Sequence, residues 1–471
     1  MKLPLTAAVL LSALLAGCQT GPARPRIAGD AAAVVGDVAV RVEERPAEAV
    51  DAGEPSDDVL EPAEAVRRAV LHDPALQASL ARLRSAWADA AQVRLLPNPV
   101  MTVGLRFREG GGSPIVDAAL AADLLSLLQM PRRISAADAR LRAAAGEALA
   151  TLADAVSDVQ ESYFTVQAME DELSALDERR KLSERLVELG RARLKVGEAA
   201  SLDVIALETQ RLELEVDVAE KLEDLAEARI ELARLVGEPS SAAQWKLAKW
   251  NAPPAAGAPE SEWVAAAMRG RAEVRSKQWE LVALGDEVRL AGWAFLEGSD
   301  AGVQSERDME WSVGPELAVP LPFFDWGQAR QEKARAELAA ARHEMVKLQR
   351  QIVQDVRTHY SAYNSTLRTL GRARGELLPL QERRASQAEA SYKAGETDVA
   401  NLLLAEEDLI DARVKVIELQ KKTAVARVKL QRAVGGIGIA AAVDASTTRP
   451  ATSAPASAPA GSPAIDMRGR P

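Results

Sequence analysis

EWSVGPELAVPLPFFDWGQAR, from Glu310 to Arg330, changes its period halfway along. In the first half Trp311, Val313, Leu317, Val319 and Leu321 alternate with Glu310, Ser312, Gly314 and Glu316. Period two puts the first set on one face of a β-strand and the second on the other. An apolar face opposite a polar one over about ten residues suits a membrane-barrel strand. It also suits a half-buried strand of a soluble sheet, and Pro315 counts against a central strand of any sheet. In the second half Phe323, Phe324 and Trp326 crowd together in a chain that is 4% aromatic. A charged, alanine-rich run follows, favouring helix from about Trp326 to Lys393. The aromatics fit an interfacial belt where a membrane strand becomes a helix; a hydrophobic plug between helices is the competing reading.

A second stretch has the same character. In VMTVGLRFR, Met101, Val103, Leu105 and Phe107 share one face, and Thr102, Gly104, Arg106 and Arg108 the other. The partner strands are less distinct: Ala118 to Leu128 is apolar nearly throughout, and Ala301 to Ser305 is short. Two hairpins make four strands, whereas small membrane barrels begin at about eight. An open strand edge is not tolerated in lipid. If these strands cross a membrane, the chain must oligomerise.

The rest of the chain reads as helix, and it repeats. ARIELARLVG ends at Gly237 and ARVKLQRAVG at Gly435, 198 residues later, with identical residues at six of ten positions. The same offset of 198 carries KVGEAASLDV, with Gly197, onto KAGETDVANL, with Gly395. A duplication gives a first repeat over 58–240, a linker over 241–261 and a second repeat over 262–436. Each contains a medium helix (Asp58 to about Leu96; Glu262 to about Leu290), a β-hairpin, a very long helix (about Pro131 to Lys195; about Trp326 to Lys393), a glycine turn and a return helix. Leu182, Leu186 and Leu189 step by four and three, as in helices packed side by side. About sixty-five residues at 1.5 Å each make a rod of roughly 100 Å, with a kink expected at Pro379. The expected fold class is mainly α with a small β part, built on long antiparallel coiled-coil helices.

The ends carry other signals. MKLPLTAAVLLSALLAGC reads as an export signal over 1–17 that ends in LAGC, a lipobox-like pattern. It makes Cys18, the only cysteine of 471 residues, the expected site of a covalent lipid. Gln19 in place of Asp favours sorting to the outer membrane. Residues 18–57 read as an extended leader, and 437–471 as a disordered Pro/Ala/Ser-rich tail. No run of eighteen apolar residues follows the signal. A net charge of −11 without a basic patch argues against nucleic acid. His72, His343 and His359 lie far apart with no ligand spacing, and no phosphate loop or nucleophile motif occurs. No enzyme and no metal or cofactor is expected.

LAGC, the PNP of Pro97 to Pro99, VPLPFFDWGQAR and the repeated turns at Lys195 and Lys393, taken in this order, resemble the TolC-like outer-membrane efflux channels from about Asp58 to Gly435. The resemblance implies a homotrimer in which three chains close a twelve-stranded barrel in outer-membrane lipid, above a helical tunnel through the periplasm. It implies a passive duct, with the tip turns (Gly197, Glu198, Gly395, Glu396) meeting a periplasmic adaptor and an inner-membrane pump. It also implies an acidic pore gate at Asp203, six residues after the tip glycine, whereas the second repeat has Asn401 there. The alternative is a lipid-anchored periplasmic coiled-coil scaffold or adaptor without a pore.

Overall fold

The computed structural model describes Ala31 and residues 59–107, 109, 114–237, 245–254, 257–307 and 310–448. The export signal, Cys18 and nearly all of the leader lie outside these residues, as does the tail beyond Thr448. Among the described residues the principal elements follow one another in two similar series. The first is α1 (Pro62–His72), α2 (Pro74–Gln92), β2 (Val100–Arg106), β3 (Ile115–Asp123), α3 (Leu124–Lys195) and α4 (Ser201–Val236). The second is α5 (Glu260–Gly270), α6 (Ala272–Ala291), β5 (Asp300–Arg307), β6 (Trp311–Ala318), α7 (Gln328–Arg372) continuing into α8 (Leu378–Ala394), and α9 (Val399–Val434). Two-residue strands β1 (Val59–Leu60) and β4 (Lys246–Leu247) pair in parallel.

Each expected medium helix is two helices. Asp73 ends α1 and caps α2, its carboxylate accepting the N–H of Ala75 and Leu76, and Pro74 takes the first helical position, where no N–H is needed. The longest helix is α3, with 72 residues, roughly 110 Å. It starts at Leu124 rather than near Pro131, which it carries inside its second turn. The second long helix is interrupted by a π-turn over Ala373–Leu377. Pro379 has no N–H to donate and its ring clashes with the carbonyl four residues back; the wider turn just before it absorbs that conflict. The tail expected from 437 begins instead as a helix, α10 (Ile437–Thr448). Ala440 and Val443 are buried beside Trp263 and Val434, so apolar burial decides the conformation there.

The elements stand in four columns. At one level the helices pack in the order α2, α3, α6, α7; farther along the order is α4, α3, α9, α7/α8. The strands continue the columns as β2-β3-β5-β6. Two apolar clusters hold the columns together midway. One joins Val66, Leu80, Leu152, Tyr163 and Leu232 of the first series, and the other Trp263, Ile352, Tyr363 and Leu430 of the second. Fully buried Tyr163 ties β1 and β4 to α3: its hydroxyl donates to the Leu60 carbonyl at 2.8 Å and accepts the Ala248 N–H at 3.0 Å.

An ion-pair network joins the two halves. Arg432 of α9 reaches Asp154 of α3 at 2.5 Å and Glu273 of α6 at 2.8 Å, and Arg271 holds Glu273 at 3.2 Å and Asp355 at 3.3 Å. Burial alone would raise the Glu273 carboxyl; the guanidiniums of Arg432 and Arg271 reverse this and hold it at about 2, against an ordinary 4.5. A depressed carboxyl stabilises the fold above its unfolded value, and that contribution is lost as pH falls from about 4.5 toward 2. Glu273→Gln is expected to cost about 3 kcal/mol at neutral pH, because it leaves two buried guanidiniums without their shared partner. Chemical unfolding against pH measures this: the variant's deficit should shrink on acidification below pH 4.5, and a deficit independent of pH would remove the ion pair as its cause.

Candidate functional site: an apolar-faced sheet and a helical tip

The sheet sits at one end of the columns. Antiparallel partners point the same way, so the register fixes its faces. Met101 lies opposite Leu120, Val103 opposite Ala118 and Leu105 opposite Val116. Leu120 lies opposite Val303 and Ala122 opposite Ala301; Ala301 in turn lies opposite Leu317, Ser305 opposite Val313 and Arg307 opposite Trp311. One face of four strands is therefore almost wholly apolar, and it is bare: Met101, Val103, Leu105, Trp311, Val313 and Leu317 are 56–70% exposed. The opposite face carries Thr102, Asp117, Gln304, Glu306, Ser312 and Glu316, with Arg106 bonded to Asp117 at 2.7 Å and 3.6 Å from Glu306. On the polar side Arg106, Asp117 and Glu306 thus pair with one another, while among the described residues these apolar side chains are left largely uncovered.

Some strand limits differ from expectation. Phe107 lies just past β2, and Val319 just past β6. β3 runs from Ile115 to Asp123, so Leu124–Leu128 open a helix instead of ending a strand. β5 has eight residues and is not short. It is also the strand through which the hairpins join, and Gly302 makes the join possible. A β-carbon on Gly302 would lie 2.3 Å from the Leu120 carbonyl oxygen and 2.8 Å from the Ala121 α-carbon.

Below β6 the chain leaves the sheet irregularly and enters α7 through Gly327, whose φ of 75° is left-handed. Leu321, Phe323, Phe324 and Trp326 stand 60–95% exposed. Among the described residues nothing covers them, so they do not plug a space between the helices of this chain; they follow β6 in sequence, just beyond the apolar face.

The far tip is built from both series. Gly197 (φ 79°) donates to the Leu194 carbonyl and Glu198 to that of Arg193. Gly395 (φ 75°) donates to the Tyr392 carbonyl and Glu396 to that of Ser391, the same bonds 198 residues on. These close the helix ends with a left-handed glycine. Leu186, Val187 and Leu207 pack with Tyr392 and Leu402, and the Arg193 guanidinium lies 5.0 Å from the Tyr392 ring centre, so the two turns form one tip. Glu198 and Glu396 are exposed there.

Asp203 and Asn401 have local partners that spacing did not reveal. The Asp203 carboxylate accepts the Ala200 N–H at 3.1 Å; in the second turn the direction reverses, and Asp398, the equivalent of Ala200, accepts the N–H of Asn401, the equivalent of Asp203, at 3.0 Å. Each turn thus has one half of a capping box. The Asn401 amide donates to the Thr397 hydroxyl at 3.0 Å.

Among the described residues no group of His, Cys, Asp or Glu is placed to hold a metal, and no helix is long and apolar enough to cross a membrane. His72 and His343 are exposed, whereas His359 is half-buried and pushed down, mainly by burial.

Comparisons with known proteins agree with this geometry. The family described as outer membrane efflux protein matches residues 266–436, most of the second series. The chain is 23% identical over 376 residues to the cobalt-zinc-cadmium resistance protein CzcC of Cupriavidus metallidurans, covering 76% of this chain and 86% of that protein. Its fold is similar to that of the outer membrane protein VceC of Vibrio cholerae, with a TM-score of 0.66 at 17% identity over 80% of this chain and 96% of that one. It is likewise similar to the CmeC outer membrane channel of Campylobacter jejuni, with a TM-score of 0.67 at 15% identity over 80% and 85% of the two chains.

Two substitutions test the parts separately. Gly302→Val should prevent the two hairpins from joining and abolish the folded, protease-resistant sheet while leaving helical circular dichroism near wild type; an intact sheet would contradict the close approach. Asn401→Asp should complete the capping box of the second turn and stabilise it by roughly 0.5–1 kcal/mol, read as slower amide exchange at the tip. Exchange unchanged from wild type would contradict it.

Proposed function

We propose, for a chain whose residues 266–436 belong to the outer membrane efflux protein family, that three copies assemble into an outer-membrane channel, the passive exit duct of a tripartite efflux system. The observation that carries the reading is the open layer. At the sheet and at both helical levels the outermost columns are the same, β2, α2 and α4 on one side and β6, α7 and α8 on the other. One chain cannot close four strands, and lipid does not tolerate their free edges. Head-to-tail contact between one copy's first column and the next copy's last would close all three levels at once. Three copies give twelve strands, within the range of membrane barrels.

A stripe along α4 supports the same contact. Leu202, Ile205, Leu212, Val216 and Ile230 follow helical spacing on one side of that helix, and all are more than half exposed. A helix that packs against nothing on that side gains nothing from such a stripe; a neighbouring copy's last column would cover it.

With the apolar face outward, the Arg106, Asp117 and Glu306 face lines the lumen, the aromatics at Phe323, Phe324 and Trp326 mark the inner boundary of the membrane, and the helices project into the periplasm. The tip at Gly197, Glu198, Gly395 and Glu396 is then the surface offered to an adaptor and an inner-membrane pump. Asp203 sits beside that tip, where three copies would bring three carboxylates near a common axis; its bond to the Ala200 N–H uses one oxygen and leaves the other for the lumen. Cys18 would carry a lipid that tethers the leader. A pore-free scaffold leaves the exposed apolar sheet without a role.

Reconstitution tests the channel. Wild type should run as a trimer in mild detergent and conduct ions in planar bilayers, whereas the double variant Ile205→Glu, Ile230→Glu should remain monomeric and silent. A conducting monomer, or a wild-type trimer without conductance, would overturn the reading.

A further inference from the structure

At the foot of the first hairpin lies a cavity of about 260 Å³. Leu95, Leu96 and Met130 form its apolar wall, and Gln92, Asn98 and Arg133 its polar side. Its level is set by the strands: Asn98 comes two residues before β2 begins, and Ser126, also in the lining, three residues after β3 ends. The cavity therefore opens where the apolar sheet gives way to helix. Leu95 of that wall is more than half exposed.

Arg133 is the unusual member of an arginine belt at this level. Arg94 pairs with Asp138 at 2.8 Å, Arg132 with Asp286 at 3.2 Å and Arg330 with Asp325 at 2.9 Å, while Arg140 pairs with Glu287. Among the described residues no carboxylate lies within ion-pair distance of Arg133. Its hydrogen-bond partners are neutral: Nε and Nη2 donate to Gln129 Oε1 at 3.2 and 3.0 Å, and Nη1 donates to the Ser126 hydroxyl at 3.1 Å. Asp123 is the closest acid in sequence, and its carboxylate is taken by the Ser126 N–H and hydroxyl. A guanidinium has five N–H donors in a planar fork. Three hold the side chain in place, so two remain, one on each terminal nitrogen. Asp123 feels the Arg133 charge only through the intervening Ser126 hydroxyl, and a fixed fork with two spare donors matches two oxygens of a phosphodiester.

We propose that this cavity binds the headgroup phosphodiester of a glycerophospholipid from the periplasm-facing leaflet, with Arg133 gripping the phosphate, Asn98 and Gln92 facing the polar headgroup, and Leu95, Leu96 and Met130 lying along the acyl chains. The assignment rests on the membrane orientation proposed above. An apolar wall beside the cation favours a lipid over free phosphate, which has nothing to place there. One lipid per protomer would seal the joint where three irregular strand-to-helix connections meet the bilayer edge.

Native mass spectrometry of the purified protein, delipidated in detergent and titrated with phosphatidylglycerol, phosphatidylethanolamine or inorganic phosphate, tests this. Wild type should take up one lipid of either kind per chain. Arg133→Gln should bind at least tenfold more weakly, whereas Arg330→Gln, which removes a carboxylate-paired arginine of the same belt, should bind as wild type. Arg133→Lys keeps the charge but not the fork and should fall between them, which also covers a poorly folding Gln variant. Equal lipid affinity in wild type and the Lys and Gln variants would overturn the proposal, as would inorganic phosphate displacing lipid stoichiometrically. Lipid bound at Arg133 by a protein that forms no pore would sink the channel reading and leave this one standing.

Discussion

Four strands with one apolar face and two free edges are the constraint on which the rest depends. Among the described residues no strand pairs with the outer edges of β2 and β6, and in hydrocarbon each unpaired backbone N–H or C=O costs several kcal/mol. The apolar face cannot be left in water either, since its side chains from Met101 to Leu317 stand bare. Both costs vanish if the face meets lipid and the edges meet other copies. Because β3 runs into α3 without a loop, and β6 into α7 through one short irregular segment, closure of the sheet dictates the arrangement of the helices beneath it.

The helical part accepts that geometry because it is not a globule. Among the described residues its apolar contacts are gathered into two large mid-height clusters, a small one at the tip and another small one around Leu370, Val416 and Leu419, and between them the columns are held by narrow seams and ion pairs. Such a layer is stiff along the columns and weakly held across them, which suits a tube wall. The two halves differ where their chemistry differs. α3 runs unbroken for 72 residues, whereas the equivalent rod of the second half relaxes into a π-turn before Pro379. At the tip, Asp203 caps backward in one turn and Asp398 caps forward in the other.

Much of this was legible in the residues. The alternation in VMTVGLRFR and EWSVGPELAVPL named the side chains of the exposed apolar face, because period two needs only composition to be seen. The glycine turns and the offset of 198 placed the tips and the return helices. β3 was blurred because Ala118, Ala119, Ala121 and Ala122 offer no contrast between faces; only pairing with β2 and β5 orients them. The breaks at Asp73-Pro74 and Arg271 were missed although the first has a capping residue and a proline side by side. α10 was hidden by its composition, since alanine-rich sequence adjoining a low-complexity tail becomes helix only through burial against α5 and α9. The partners of Asp203 and the spare donors of Arg133 depend on side-chain geometry that spacing does not encode.

The account's central claim is that the β2 edge of one copy pairs with the β6 edge of the next. Disulfide scanning tests it most directly: single cysteines along β2 and along β6, combined in pairs in a Cys18→Ser background, oxidised in membranes and resolved on denaturing gels. The account predicts that one register of pairs converts monomer to covalent trimer, with dimer as the only intermediate, while pairs one residue out of register do not link. Disulfides confined within single chains, or ladders extending beyond the trimer, would contradict it.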